Sequence, residues 1–216
     1  PKTKWLAIDK SSWDWSVQPW LINVEYMVRE VLCTNISVQW KDLASWRYQC
    51  LFLNPIFVTS SGHLFKQLKP GVMKSGCVNT IAANSVMQLI LHVRVCVELN
   101  RPISPIITLG DDTLQEPVRR DYVDLLSEYC IVKHAKLENE FAGYRYGRTI
   151  EPLYKGKHAF NLLHAKPKFL RDMIFSYLLL YHESYERGFF NSMAKTLGFS
   201  MPDEDYFDTL YHGFRE

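Results

Sequence analysis

The run Ile106-Ile107-Thr108-Leu109 stops at Gly110-Asp111-Asp112, and Thr113-Leu114 follows at once. β-branched residues favour extended backbone, and a Gly/Asp turn between two such runs is a strong short-range hairpin signal. The segment reads as a strand, a turn carrying two carboxylates and a run that can return as a paired antiparallel strand. The rest of the composition suits a packed domain. Of 216 residues 47% are apolar and 14% aromatic, and the net charge is +2. A disordered or low-complexity chain is excluded. The length suits one large domain or two small ones.

Around the hairpin the pattern is mixed. Trp5-Leu6-Ala7-Ile8 is a short apolar run ending at Asp9 and reads as a buried strand. Trp20, Leu21, Val24, Met27, Val28, Val31 and Leu32 recur at helical spacing and predict a helix near 18–33, with Pro19 in its first turn. Residues 34–74 are aromatic-rich and predict irregular structure, with Asn54-Pro55 and Ser60-Ser61-Gly62 as turns. Further helices are predicted over 78–98 and 118–129, short strands around 130–133, 138–146 and 149–154, and helix from Pro167 onward. The sum is an α+β chain. No run of 18 apolar residues is present, so no transmembrane segment is expected.

Asp9 at a strand end and Asp111-Asp112 in a tight turn are carboxylates on rigid backbone. Carboxylates that converge from separate strands can hold a pair of hard cations such as Mg²⁺, about 3.5–4 Å apart, which clamp the attacking and leaving oxygens of a phosphoryl transfer. Taken alone, Gly110-Asp111-Asp112 is equally an ordinary turn and Asp9 an ordinary strand-end residue. Asp14 follows Asp9 by five residues, either favoured by a helix N-terminus or directed into the same cleft.

Before the 78–98 helix lies Ser75-Gly76, and Thr80 and Asn84, four apart, share one helix face. Gly76 permits a left-handed backbone, and Asn84 offers both a donor and an acceptor suited to a hydroxyl. The alternative is that Ser75 caps the helix while Thr80 and Asn84 are solvated.

In this order the elements resemble the palm of viral RNA-dependent RNA polymerases. Asp9-x4-Asp14 resembles motif A, Ser75-Gly76-x3-Thr80-x3-Asn84-Ser85 motif B, and Leu109-Gly110-Asp111-Asp112 motif C. Lys133 is similar to the motif D lysine, and Phe141-Ala142-Gly143-Tyr144 to motif E with its usual Cys or Ser and His replaced. His164-Ala165-Lys166-Pro167-Lys168 resembles the approach to the thumb. The wording of Trp13-Asp14-Trp15-Ser16-Val17 and Lys74-Ser75-Gly76 is most similar to sobemovirus-like polymerases of positive-strand RNA viruses.

The resemblance implies a right-hand polymerase: a palm over 1–165, an antiparallel sheet backed by helices, with a fingers-derived insertion at about 15–74, and a helical thumb portion over 166–216. It implies template-directed RNA synthesis by two-metal nucleotidyl transfer in viral genome replication. Asp9, Asp111 and Asp112 would hold Mg²⁺ or Mn²⁺, with the Lys10 carbonyl as a further donor. Lys133 would protonate the leaving pyrophosphate, with Lys136 as runner-up. Asp14, Gly76 and Asn84, with Ser75 or Thr80, would bind the nucleotide and recognise the ribose 2′-hydroxyl, the feature that separates RNA from DNA. Implied partners are the RNA template and product duplex, nucleoside triphosphates and other viral replication proteins. The implied location is the host cytoplasm, with membrane-associated replication complexes as an option. The family's basic fingertip motif lies upstream of motif A, so the expectation is a fragment lacking most of the fingers and inactive alone. Two other readings remain: a reverse transcriptase-like polymerase, which would place a bulky residue where Asp14 stands, and a non-enzymatic, helix-rich binding module.

Residues 1–129 carry 13 basic and 12 acidic side chains, 130–172 carry 9 and 4, and 173–216 carry 3 and 7. The near-neutral total thus hides a basic stripe compatible with an RNA backbone. Five cysteines without a CxxC pair suggest reduced thiols, with Cys77 and Cys130 read as packing residues. His134, His158, His164 and His182 lack zinc-site spacing to any cysteine and are read as surface or core residues. Trp5, Trp13, Trp15, Trp20, Trp40 and Trp46 are read as core rather than base-stacking residues.

Overall fold

The structure, a computed structural model, describes residues 4–213. It divides into two compact units, Lys4–Glu138 and the residues from Asn139 onward. This division falls at 138/139, where neither glycine nor proline marks a linker.

The first unit opens with β1 (Leu6–Lys10), followed by the short α1 (Trp13–Ser16), α2 (Pro19–Leu32) and α3 (Val38–Tyr48), which runs into a π-helical turn at Gln49–Leu53. A small hairpin, β2 (Ile56–Val58) and β3 (Leu64–Lys66), precedes the long α4 (Thr80–Glu98). Then come β4 (Ile106–Leu109), β5 (Asp112–Gln115), α5 (Arg120–Leu126) and β6 (Val132–Leu137). The stretch 34–74 predicted as irregular thus contains α3, the π-helical turn and the small hairpin, and is irregular elsewhere. No residue of α3 is buried, so it shows no apolar stripe for periodicity to detect. The helix predicted over 118–129 is shorter at both ends.

The main sheet has the order β4-β5-β1-β6, all antiparallel. Along β1, Leu6, Ile8 and Lys10 are buried, and Ala7 and Asp9 alternate with them on the other face. Leu6 and Ile8 share a core with Trp13, Leu21, Ile22, Met87, Leu91, Val95, Tyr122 and Leu126, so α2, α4 and α5 back one side of the sheet. Helices cover the face that buries Lys10, and Asp9 lies on the other. By length and composition α4 could cross a membrane, which the count of apolar runs did not anticipate. In this fold it is the central core helix, and its buried residues include the polar Asn84, Gln88 and His92. Met87 is 0% exposed. Met87→Ala should lower the unfolding free energy by about 2–5 kcal/mol, read as a shift of the urea midpoint.

The tryptophans divide. Trp13 is 3% exposed, whereas Trp15 is 79% and Trp46 64% exposed, which corrects their reading as core residues. All five cysteines are free thiols. Cys130 is buried as expected, but Cys77 is half-buried and its sulfur accepts a hydrogen bond from Arg47 Nη2 at 3.1 Å.

The second unit holds a three-stranded meander, β7 (Glu140–Phe141), β8 (Tyr144–Tyr146) and β9 (Ile150–Pro152). Four helices follow: α6 (Lys155–Leu163), α7 (Pro167–Leu180), α8 (Arg187–Thr196) and α9 (Glu204–His212). Helix α6 was not predicted and has no fully buried residue. The core of this unit is Ile174, Tyr177, Leu178, Tyr181, Phe190, Ala194 and Phe207.

Candidate functional site

Strand β5 pairs with β1, Ile8 opposite Thr113, and Asp9 and Asp112 lie one step further along. On the far side β5 pairs with β4, Leu109 opposite Asp112, which leaves Gly110 and Asp111 as a two-residue turn. Gly110 has φ 63 and Asp111 is not left-handed, the type II′ pattern that places Gly at the first turn position. Ser85 of α4 fixes this turn, since Gly110 N–H donates to its hydroxyl at 2.8 Å.

Under the turn sits Lys10, 5% exposed. Its ammonium donates to Thr113 Oγ1 at 2.7 Å, to the Asp111 carbonyl at 3.2 Å and to the Ile8 carbonyl at 3.4 Å. One nitrogen therefore ties β1 to the acidic turn. Burial pushes its pKa down to about 8, opposed by the Cys130 thiol and by the carboxylates of Asp111, Asp112 and Asp9.

Opposite, β1 meets β6 with a bulge: Asp9 pairs with His134 but Lys10 pairs with Val132, which leaves Lys133 as the extra residue. Bulges re-aim side chains beside functional sites, and here Lys133 Nζ lies 2.9 Å from Asp9 Oδ2. His134 Nδ1 lies 3.7 Å from the same oxygen. Lys136 pairs with Ala7 instead, so of the two lysines it is Lys133 that reaches Asp9.

The donor set is all carboxylate oxygen, which suits Mg²⁺ or Mn²⁺, and Asp9 already holds a cationic group in the Lys133 ammonium. Among the described residues the three aspartates do not form a group whose oxygens all lie within 4.8 Å of one another. A single shell would require that closeness. A two-ion site does not, because ligands of different ions about 4 Å apart can be about 8 Å from each other.

A second cluster forms around Asp14 in α1. Asn84 Nδ2 donates to Asp14 Oδ1 at 3.1 Å, and the Ser75 hydroxyl donates to Asp14 Oδ2. Asn84 is 5% exposed and its Oδ1 has no hydrogen-bond partner. Gly76 is left-handed at φ 94, as the turn after Ser75 requires. Ser75 is not the helix cap, a position taken by Asn79. Thr80 departs from expectation: its hydroxyl donates to the carbonyls of Cys77 at 2.8 Å and Lys74 at 3.1 Å. It shapes the turn before α4 and makes no hydrogen bond to Asp14. Of the pair Ser75 or Thr80, Ser75 is the one at Asp14.

Lys10, Ser85 and His134 belong to this region and had no side-chain role in the sequence reading. Ser85 could have been found, since it sits beside Asn84 on α4. The burial of Lys10 could not, because a lysine after an aspartate at a strand end reads as exposed.

Over 108 residues the chain is 34% identical to the Replicase polyprotein P2AB of Southern bean mosaic virus, an alignment covering 50% of this chain and 10% of the relative. This chain is similar to a region of viral replicase polyproteins. P2AB of Southern cowpea mosaic virus is 33% identical over 121 residues, covering 54% of the chain and 12% of the relative. Protein P1-P2 of Turnip yellows virus is 32% identical over 107 residues, covering 50% and 10%. The chain thus matches about a tenth of the length of these relatives. No family model matches it. The relatives are consistent with a role in viral replication.

Proposed function

We propose that this chain carries the nucleotidyl-transfer centre of an RNA-directed RNA polymerase, built on a palm-like sheet. The observation that carries the reading is a pair of consecutive residues on α4. Asn84 holds Asp14 and Ser85 holds the Gly110 turn, so one helical turn fastens a sugar-reading cluster and an acidic hairpin tip in fixed relation. Similarity to viral replicase polyproteins supports it.

Asp9, Asp111 and Asp112 would hold Mg²⁺ or Mn²⁺, which when bound activates a primer 3′-hydroxyl and stabilises the leaving pyrophosphate. The chain's own groups do the rest. Lys10 braces the turn from beneath. Lys133, aimed at Asp9 by the bulge, supplies positive charge and a proton for pyrophosphate, a contribution of typically 10²–10⁴-fold. Asp14 accepts from a ribose hydroxyl, and Asn84 Oδ1 is an acceptor with no protein partner. The RNA template, product duplex and nucleoside triphosphates are the partners this chemistry requires.

Primer extension by the polymerase that carries this chain tests the reading. Asn84→Ala removes a hydrogen bond to a charged group, worth about 1.5–3 kcal/mol. The preference for NTP over dNTP should fall about 10- to 100-fold while extension with NTP persists. An unchanged ratio removes Asn84 and its cluster from sugar selection.

A further inference from the structure

The second unit contains a cluster that polymerase chemistry does not use. His182 and Glu183 lie in the turn that follows α7, and Asp208, Tyr211 and His212 lie on α9. His182, Glu183 and His212 each bring one ligand atom to within 4.8 Å of the others, the one such group of three among the described residues.

His182 is 8% exposed. Its Nε2 lies 2.9 Å from Asp208 Oδ1, so in the neutral ring Nε2–H is the donor and Nδ1 carries a lone pair. That Nδ1 is buried and has no hydrogen-bond partner. Buried polar atoms are normally satisfied, and an acceptor nitrogen left bare beside a carboxylate and a second imidazole asks for an electrophile. Protonation does not resolve this, because it would bury an N–H without an acceptor. The ring is also locked: it stacks on Tyr211 at 4.4 Å between centroids and 25° between planes, and meets His212 edge-on at 5.5 Å.

We propose that His182, Glu183 and His212 form a Zn²⁺ site that clamps α9 to the end of α7. His182 Nδ1 is the ligand, and Asp208 fixes its tautomer from behind. A carboxylate on the second nitrogen of a metal-bound imidazole is the standard supporting contact for such ligands. The spacing agrees. His212 Nε2 lies 3.5 Å from Glu183 Oε1, long for a hydrogen bond and close to the tetrahedral ligand–ligand edge of about 3.3 Å expected for Zn–N and Zn–O bonds near 2.05 Å. Two imidazoles and one carboxylate match zinc in ligand type and leave a fourth position for water. The His212 and Glu183 side chains are 37% and 40% exposed, which gives the ion a way in. One cation lies nearby: the Arg187 guanidinium reaches the His182 carbonyl at 3.5 Å, and its Nη1 is paired with Glu204 at 2.6 Å, which offsets part of its charge. Glu183 and Asp208 together balance the two charges of the ion.

The His182–His212 separation explains why spacing could not reveal the site. The ligands lie 30 residues apart and meet only because α9 folds back on α7. The proposal is independent of the polymerase reading.

The test is Zn²⁺ titration of the metal-stripped chain against a chromophoric chelator, with the melting temperature read in parallel. One equivalent should bind with micromolar or tighter affinity and raise the melting temperature. His212→Ala and Glu183→Gln, both at exposed positions and checked for folding by circular dichroism, should each weaken binding at least tenfold and abolish the thermal shift. Asp208→Asn should weaken it about 10- to 100-fold. Absence of a bound equivalent overturns the site. Binding at wild-type affinity in both His212→Ala and Glu183→Gln also overturns it and assigns the ion to the free thiols of the other unit.

Discussion

Asp111→Ala is expected to lower RNA synthesis by at least about a thousandfold, roughly 4 kcal/mol of transition-state stabilisation, while the melting temperature changes little. The fold is insulated from this substitution because the turn is held by other atoms. Gly110 N–H donates to Ser85, and Lys10 takes the Asp111 backbone carbonyl rather than its side chain. What the substitution removes is one carboxylate at the hairpin tip. Asp9→Ala should cost as much activity, and in addition it removes the 2.9 Å partner of Lys133. The measurement is single-nucleotide extension of a primed RNA in Mg²⁺ and again in Mn²⁺. Synthesis within tenfold of wild type in either variant removes the acidic tip from catalysis. If the wild-type protein extends no template with either ion, the helix-rich binding module becomes the better reading and Gly110-Asp111-Asp112 is a turn. A wild-type preference for dNTP would favour the reverse transcriptase-like alternative, against which the Asp14–Asn84 pair stands.

The legible parts of the fold are those in which local and tertiary preferences coincide. The β4–β5 hairpin follows from one glycine between two β-branched runs. The ends of α2 and α4 fall within two residues of the prediction; α4 buries a continuous stripe, while α2 buries Leu21, Ile22 and Glu25 and leaves Met27, Val31 and Leu32 exposed. Helices α3 and α6 bury no complete side chain, so no stripe announces them, and α3 hides in an aromatic-rich segment that reads as loop. The candidate site divides in the same way. Asp9, Asp14, Asp111 and Asn84 stand out by spacing, since each sits on or beside a regular element. The choice between Lys133 and Lys136 rests on a bulge, a one-residue slip with no sequence signature. Thr80 and Asn84 share a helix face, yet Thr80 lies in the first turn, where its hydroxyl bonds back to the preceding carbonyls. The second unit's His182 cluster and the division at 138/139 depend on long-range packing, which single-sequence periodicity does not encode.

Lys10→Met separates stability from activity at the same site. The ordinary lysine pKa of 10.5 is pushed down to about 8 by burial, against the pull of Cys130, Asp111, Asp112 and Asp9. Between these values the unfolded chain retains a proton that the folded chain has released. Unfolding free energy therefore rises with pH across the window, by about 3 kcal/mol in all, and the gain is absent below pH 8. Lys10→Met has no such titration, so urea unfolding at pH 7.5 and 10 should show the wild type gaining about 2 kcal/mol relative to the variant. At pH 7, where the wild type still buries a charge, the variant should be equal or more stable, as when buried ions are replaced by apolar groups of similar size. Its activity should nonetheless fall about tenfold or more, because Thr113 and the Asp111 carbonyl lose the ammonium that fixes the turn under three carboxylates. A variant that is destabilised by several kcal/mol at pH 7, yet extends RNA normally per folded molecule, would make Lys10 a folding residue with no part in the site. The expected opposite result would mean that this buried cation is kept at a cost in stability because it holds the acidic tip in place.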